Sequence, residues 1–299
     1  MRLRSLAAAL MIVVAACAAA AAPATASGPV SSPAYGYRFQ IFPGGDSALS
    51  VRIAEDLYKR LVPTFAAFRT ELAQRRRMVY VAIGPDALRE AAARRCDCVV
   101  IAAFTSSQVW HSIVDRLPPA RARMMTAVYA EPAPGDQLRL AALLYRRPVR
   151  TAAILGPDTA YLQPALSGQA DVLQAGHDDD MGDILARLGR HEVLLALPDS
   201  AIYNPENIRN ILLSTYRRKQ AVIGFSADMV KVGALATTYS EVEDINAQVA
   251  EMAASFVASG ELPAPQFPRY FRTTINEGVA RSLDIVVSPE ARRFARARP

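Results

Sequence analysis

The sequence predicts an α/β protein of two doubly wound parallel-sheet lobes joined by a multi-strand hinge. Three observations carry that expectation. Short aliphatic runs without charge recur along the chain, Val193–Leu197 and Ala221–Phe225 being the clearest, as strands buried on both faces of a parallel sheet require. Each run breaks into a polar loop and then a helical segment, an alternation that demands parallel strands linked by right-handed crossovers. The scheme occurs twice, before and after Pro132.

In order, a linker rich in Ser, Pro and Gly (27–36) leads to an alternating strand Tyr37–Phe42, which ends in Pro43-Gly44-Gly45-Asp46-Ser47 and a long helix. Met78–Ile83 is the next strand, and Gly84-Pro85-Asp86 opens a helix through Ala92. Cys98–Ala103 is a third strand, after which Thr105-Ser106-Ser107 caps a helix carrying Trp110; Met124–Tyr129 is a fourth. Past Pro132 come helix Asp136–Arg146, strand Arg150–Leu155, helix Pro157–Leu166, strand Asp171–Gln174 and helix Met181–Leu188. The strands Val193–Leu197 and Ala221–Phe225 flank a helix whose start is marked by Asn204 before Pro205 and whose apolar stripe is Ile208, Ile211, Leu212 and Tyr216. A helix Glu241–Ser259, the link Leu262-Pro263-Ala264-Pro265, a strand Phe271–Ile275 and a short helix to Leu283 complete the chain. The expected boundaries are 37–132 plus 236–260 for lobe 1 and 133–235 plus 261–299 for lobe 2. Two such lobes with several crossings form a hinged clamshell that closes on a ligand.

With 299 residues, 52% of them hydrophobic and 21% charged, the chain is far too apolar to be disordered. Residues 1–26 read as an export signal: Arg2 and Arg4, an apolar stretch from Leu6 to Ala16 too short to span a bilayer, and a small-residue cut site at Ala24-Thr25-Ala26. Val14-Ala15-Ala16-Cys17 also resembles a lipobox, which makes lipid attachment at Cys17 the competing reading. The expected location is periplasmic. Removing a leader with Arg2 and Arg4 takes the formal charge from +6 to about +4, which gives no nucleic-acid signal. The runs Arg75-Arg76-Arg77 and Arg217-Arg218-Lys219 read as helix ends, where cations favour the carbonyl dipole.

Outside the leader the cysteines are Cys96 and Cys98. One intervening residue makes them poor disulfide partners, and two thiolates alone do not form a zinc site. They read as small buried residues at a strand start or, alternatively, as a redox-active pair. Asp178-Asp179-Asp180 reads as a helix N-terminal charge cluster, not a metal site. No metal or other cofactor is expected.

The segments from Leu194 to Ser240, Glu241 to Ala253 and Leu262 to Leu283 resemble the substrate-binding components of bacterial ABC importers. The likeness rests on the Leu197-Pro198-Asp199 turn, Ile223-Gly224-Phe225-Ser226, Lys231-Val232-Gly233-Ala234-Leu235, and Asn276 before Val279-Ala280-Arg281-Ser282-Leu283. It is nearest to type 1 periplasmic binding proteins of a branch related to tryptophan and other aromatic or branched amino-acid binders. In the first half this chain has Ala103-Phe104-Thr105-Ser106 where the family usually carries a Val-Gly-Thr-Pro-like turn. The resemblance implies a monomeric clamshell that binds an amino acid or similar small polar or aromatic solute and delivers it to an inner-membrane ABC permease. A periplasmic sensor for a membrane receptor kinase uses the same clamshell and is the second reading.

An amino-acid ligand needs donors for its carboxylate and an acceptor for its ammonium. Thr105 and Ser106, with Ser107, lie at a helix N-terminus that favours an anion, and Asp199 across the cleft is the candidate acceptor. Tyr129, Tyr203 and Phe225 fall at or just past strand ends as a stacking wall, with Ser226 beside them; ligands of open parallel sheets sit beyond these carboxyl ends. Each assignment has a structural rival. Thr105, Ser106 and Ser226 also read as helix caps, Asp199 as an Asx brace of its own turn, and Tyr129 with Glu131 as part of the hinge. His111, His177 and His191 fall in no catalytic spacing, and no nucleophile elbow, phosphate loop or dinucleotide fingerprint occurs. A binding protein, not an enzyme, is expected; the rival from another class is a hydrolase or racemase-like enzyme with Cys96 or Cys98 as nucleophile.

Overall fold

Apolar runs buried on both faces give the chain two sheets. A computed structural model describes residues 36–45, 47–67, 76–176 and 178–298. The leader with Cys17, most of the linker, Asp46, Arg75 and His177 lie outside the described residues.

The first sheet is parallel throughout, in the order β1 (Gly36–Phe42), β2 (Arg76–Ile83), β3 (Cys98–Thr105), β4 (Met125–Tyr129). Helices α1 (Ala48–Ala67), α2 (Gly84–Ala93), α3 (Ser107–Val114) and the single turn α4 (Pro119–Ala122) connect its strands. Alternation sorts the faces: Val79, Val81, Val99 and Ile101 pack with Ile53, Leu57, Leu61 and Phe65 of α1, while Tyr80, Ala82, Val100 and Ala102 pack with Leu88, Ala91 and Trp110 of α2 and α3. Arg76 and Arg77 begin β2, so the first basic run opens a strand and does not end a helix.

The right-handed rule does not hold throughout this sheet. All three connections step the same way across it, yet α1 covers one face and α2 and α3 the other, so the β1–α1–β2 crossover has the opposite hand from the next two. The apolar stripe of α1 accounts for its side. It packs against Ile245, Val249, Met252 and Phe256, which come from a helix near the chain's end, and burial at roughly 1.5–3 kcal/mol per large side chain outweighs a disfavoured crossover.

The second sheet has the order β10-β9-β8-β7-β5-β6: β5 (Thr151–Leu155), β6 (Asp171–Gln174), β7 (Val193–Leu195), β8 (Ala221–Ile223), β9 (Ala236–Tyr239) and β10 (Arg272–Ile275). All pairings are parallel except β9 with β10, so an antiparallel edge closes an otherwise parallel sheet. Strand β9 lies in this sheet, whereas the sequence places residues 236–240 in lobe 1; its partners β8 and β10 fix it on the other side of the hinge. The helices are α5 (Pro134–Tyr145), α6 (Gln163–Leu166) after a 3-10 turn at Pro157–Leu162, α7 (Met181–Ala186), α8 (Pro205–Arg217), α9 (Ala227–Lys231), α10 (Val242–Ser259), α11 (Glu277–Ser282) and α12 (Pro289–Arg292). Asn204 caps α8 through Asn207 N–H at 2.9 Å, as its sequence signature predicts. Helix α10 returns to the first sheet and supplies the stripe that α1 meets.

The chain therefore passes between the sheets three times: after β4, between β9 and α10, and from Gly260 to β10. Gln266 adds itself to the edge of β4, its N–H donating to Ala127 O at 2.9 Å and its carbonyl accepting from Tyr129 N–H at 2.9 Å. Phe267 then packs against the cores of both lobes, edge-on to Tyr129 at 5.1 Å between ring centroids. Buried Gln137 on α5 donates to Gly224 O and Thr237 Oγ1 and accepts from Thr238 N–H, which ties the first passage to the second.

Candidate functional site

The second sheet reverses its strand order between β5 and β7, and the loops leaving the carboxyl ends of those strands diverge at that point. Asp199 joins the two loops. Its Oδ2 accepts from Gly156 N–H at 3.1 Å and from Thr159 Oγ1 at 2.6 Å, and its Oδ1 accepts from Ala201 N–H at 3.0 Å and Ile202 N–H at 3.4 Å. A Cβ on residue 156 falls 2.7 Å from Oδ2, so glycine alone lets the loops approach this closely. With four donors from its own lobe and 2% exposure, this carboxylate is a brace. The expected role as ammonium acceptor gives way to the Asx alternative, because every strong acceptor direction is already used.

Across from these loops, the bulged end of β3 aims α3 at the second lobe. Phe104 has φ +58°, unusual for a bulky residue, where the register shifts between Ala103 and Thr105. Such strain concentrates where geometry serves a site. Thr105 is 1% exposed; its hydroxyl donates to Ala103 O and its carbonyl accepts from Ala130 N–H, so it anchors the turn. Ser106 is the N-cap of α3, accepting from Val109 N–H at 3.3 Å.

The anion at the start of α3 is supplied by the chain itself. Glu131, buried just after β4, receives Ser107 N–H at 2.9 and 3.2 Å on its two oxygens. Burial pushes its carboxyl above the usual carboxylate range, against the lowering effect of the Ser107 bonds. The expected placement of a ligand carboxylate at Thr105 and Ser106 is thus replaced by an internal one. Nothing short-range in the sequence marks this, since Ser107 and Glu131 are 24 residues apart.

Direct bonds cross the cleft. Tyr161 Oη, in the 3-10 turn after β5, donates to Ser107 Oγ at 2.5 Å, and its ring lies against His111, tilted by 36° with centroids 4.0 Å apart. Ser200 N–H, beside Asp199, donates to Gln108 Oε1 at 3.0 Å. The sequence places Ser200 at the carboxyl end of its strand, where ligands sit, but does not single out Gln108, His111 or Tyr161 as wall residues, because their meeting depends on how the two lobes face each other.

The remaining candidates separate into two places. Tyr129 is buried in the hinge between Trp110 and Phe267. Tyr203, Phe225 and Ser226 come together with Ile208, Leu212 and Val232 around an open groove of about 870 Å³ between α8 and α9, which no α3 residue lines. There Tyr203 meets Phe225 edge-on at 5.8 Å, its buried hydroxyl without a partner, and Ser226 caps α9 through Met229 N–H. They form a wall of one lobe, not of the cleft contacts just described.

Cys96 and Cys98 are joined in a disulfide, contrary to expectation: a bend at Cys96-Asp97 brings their Cα atoms to 5.2 Å, inside the range that such a bond spans. Asp180 caps α7 and Asp179 accepts from Gly176 N–H. Among the described residues no group of three or more His, Cys, Asp or Glu is placed to hold a metal ion, and no helix is long and apolar enough to cross a membrane.

Neither a protein-family model nor a curated protein sequence matches the chain. Solved structures do. A ligand-free, open substrate-binding protein with adhesive properties from Clostridium difficile aligns over 88% of this chain and 99% of its own, at 12% identity and TM-score 0.55. A conserved domain protein from Vibrio cholerae aligns over 86% and 97%, at 14% identity and TM-score 0.50. The chain has the type 1 periplasmic-binding-protein fold. An L-Trp-bound ABC domain from Streptococcus pneumonia aligns over 86% and 96% at 15% identity and TM-score 0.49. In the periplasmic-binding-protein fold of this chain, the switch point of the second lobe and the start of α3 in the first form the facing walls.

Proposed function

We propose that the protein is an exported solute-binding protein that captures a small polar molecule between its lobes and delivers it to an inner-membrane ABC importer. The observation that carries this reading is that loops at the carboxyl ends of both sheets meet through Tyr161–Ser107 and Gln108–Ser200. Those bonds exist only when the lobes are closed. At about 0.5–1.5 kcal/mol each they bias closure modestly, leaving the solute's own contacts to complete the shift in population.

The acceptor for a solute's ammonium is Glu131, not Asp199. It is buried against Ser107, the partner of Tyr161, and its donors come only from Ser107 and its own backbone, which leaves a lone pair for a ligand. An amino acid, whose ammonium Glu131 accepts, is the solute class favoured. The chain acts by binding without turnover; both cysteine sulfurs, the nucleophiles of the enzyme reading, are bonded to each other at the far end of β3.

The test is mass spectrometry of small molecules released by denaturing freshly purified protein, followed by titration of the compound found into the parent and Tyr161→Phe by calorimetry. One solute per chain is expected, with affinity about fivefold weaker in the variant for the loss of roughly one closed-state hydrogen bond. No retained compound together with no binding heat from any of the twenty amino acids would overturn the amino-acid reading; conversion of the compound to a product would overturn the binding role.

A further inference from the structure

The opposite end of the first sheet, at the amino ends of its strands, carries chemistry that solute capture does not use. Strand β3 runs from Cys98 to Thr105, so the disulfide lies at the amino end of β3, on the order of 20 Å from the α3 contacts. Its two sulfurs have unlike surroundings. Cys96 is exposed, whereas Cys98 is fully buried. Arg121, from α4, reaches in behind Cys98: its Nη1 donates to Cys98 O at 2.9 Å and lies 3.4 Å from Cys98 Sγ, and its Nη2 donates to Ala91 O at 2.7 Å. The guanidinium is thus held by two backbone carbonyls with one N–H directed at the buried sulfur. A purely structural cystine has no need of a cation at one sulfur, and a bridge between residues two apart constrains little of the unfolded chain.

We propose that Cys96–Cys98 is a thiol–disulfide exchange site that accepts two electrons from a dithiol. A thiolate of the donor attacks Cys96 Sγ, the accessible sulfur; the Cys96–Cys98 bond breaks and its electron pair leaves on Cys98 Sγ as a thiolate beside Arg121. The donor's second thiolate attacks its own sulfur in the mixed disulfide and releases Cys96 as a thiolate. The donor ends as a disulfide, and Cys96 and Cys98 end reduced with the two protons the donor gave up. Arg121 acts on the leaving group: a nearby cation lowers the leaving thiol's pKa, and lower-pKa thiols leave faster.

The experiment uses the full, folded chain with glutathione and dithiothreitol as probes. Brief glutathione treatment followed by alkylation and peptide mass mapping is expected to place glutathione on Cys96 and the alkyl group on Cys98. With dithiothreitol, Arg121→Leu is expected to open the bond about tenfold more slowly than the parent, with Arg121→Lys between them. Circular dichroism confirms that each variant is folded; should Arg121→Leu fail to fold, the mapping on the parent decides. Glutathione on Cys98 or on both sulfurs equally, or opening that occurs only in denaturant, would overturn the proposal. An unchanged rate in folded Arg121→Leu would remove Arg121 from it.

Discussion

Asp199→Ala is expected to lower the free energy of unfolding by about 4 kcal/mol, read as a fall in the urea midpoint with the slope unchanged. The estimate follows from what the substitution strands. Gly156 N–H and Thr159 Oγ1 lose their shared acceptor inside the lobe, and Ala201 and Ile202 N–H lose the cap of their turn. Buried donors left without partners cost roughly 1–3 kcal/mol each, and bonds to a charged acceptor are at the upper end of the usual range. Asp199→Asn keeps one acceptor oxygen and should recover about half of the loss. A loss under about 1 kcal/mol for Asp199→Ala would show that the loops after β5 and β7 do not depend on this carboxylate. Any effect on solute affinity is expected to be indirect, through the positions of Tyr161 and Ser200.

Glu131→Gln is expected to move stability and binding in opposite directions. Burial holds the Glu131 carboxyl above its ordinary value of 4.5 in the folded chain. Between that value and the raised one, the folded state holds a proton that the unfolded state has released, so this group's contribution to stability grows as pH falls through the window and is lost as pH rises. The parent's melting temperature should therefore gain, as pH falls toward 4.5, an increment that Glu131→Gln lacks. At pH 7 the variant, relieved of a buried ionisable group, should be more stable by about 1–2 kcal/mol. Affinity for a cationic solute should fall at least about tenfold, since a charge-assisted bond is replaced by a neutral one. Stability lower at pH 7, or parallel pH profiles for parent and variant, would contradict the account of this carboxylate. A stability gain coupled to lost function is common where a site keeps an unfavourable group for its chemistry.

The contrast between these two acids measures what the chain's order of residues reveals. Val193–Leu195 and Ala221–Ile223 were legible as strands because a run of aliphatic residues admits little else, and the start of α8 at Asn204-Pro205 was legible because a cap acts within three residues. Asp199 was legible as a turn residue at a sheet's carboxyl end, but its partners Gly156 and Thr159 lie 43 and 40 residues away. Pairings at that range depend on strand order, which periodicity does not encode. The same holds for Glu131 and Ser107, and for β9, whose Ala-Thr-Thr-Tyr lacks the aliphatic signal and is held by Gln137 from α5. The reversed hand of the β1–α1–β2 crossover follows from α1 meeting α10, nearly two hundred residues on, where Arg52 pairs with Glu243.

The most direct test of the central claim, that two α/β lobes close upon one another through the start of α3 and the loops after β5 and β7, is a single-molecule distance between labels on exposed Arg89 of α2 and Leu213 of α8. The account predicts two populations, open and closed, with the closed fraction rising when a mixture of the twenty amino acids is added and falling in Tyr161→Phe. One distance, unchanged by the mixture and by the variant, would contradict it.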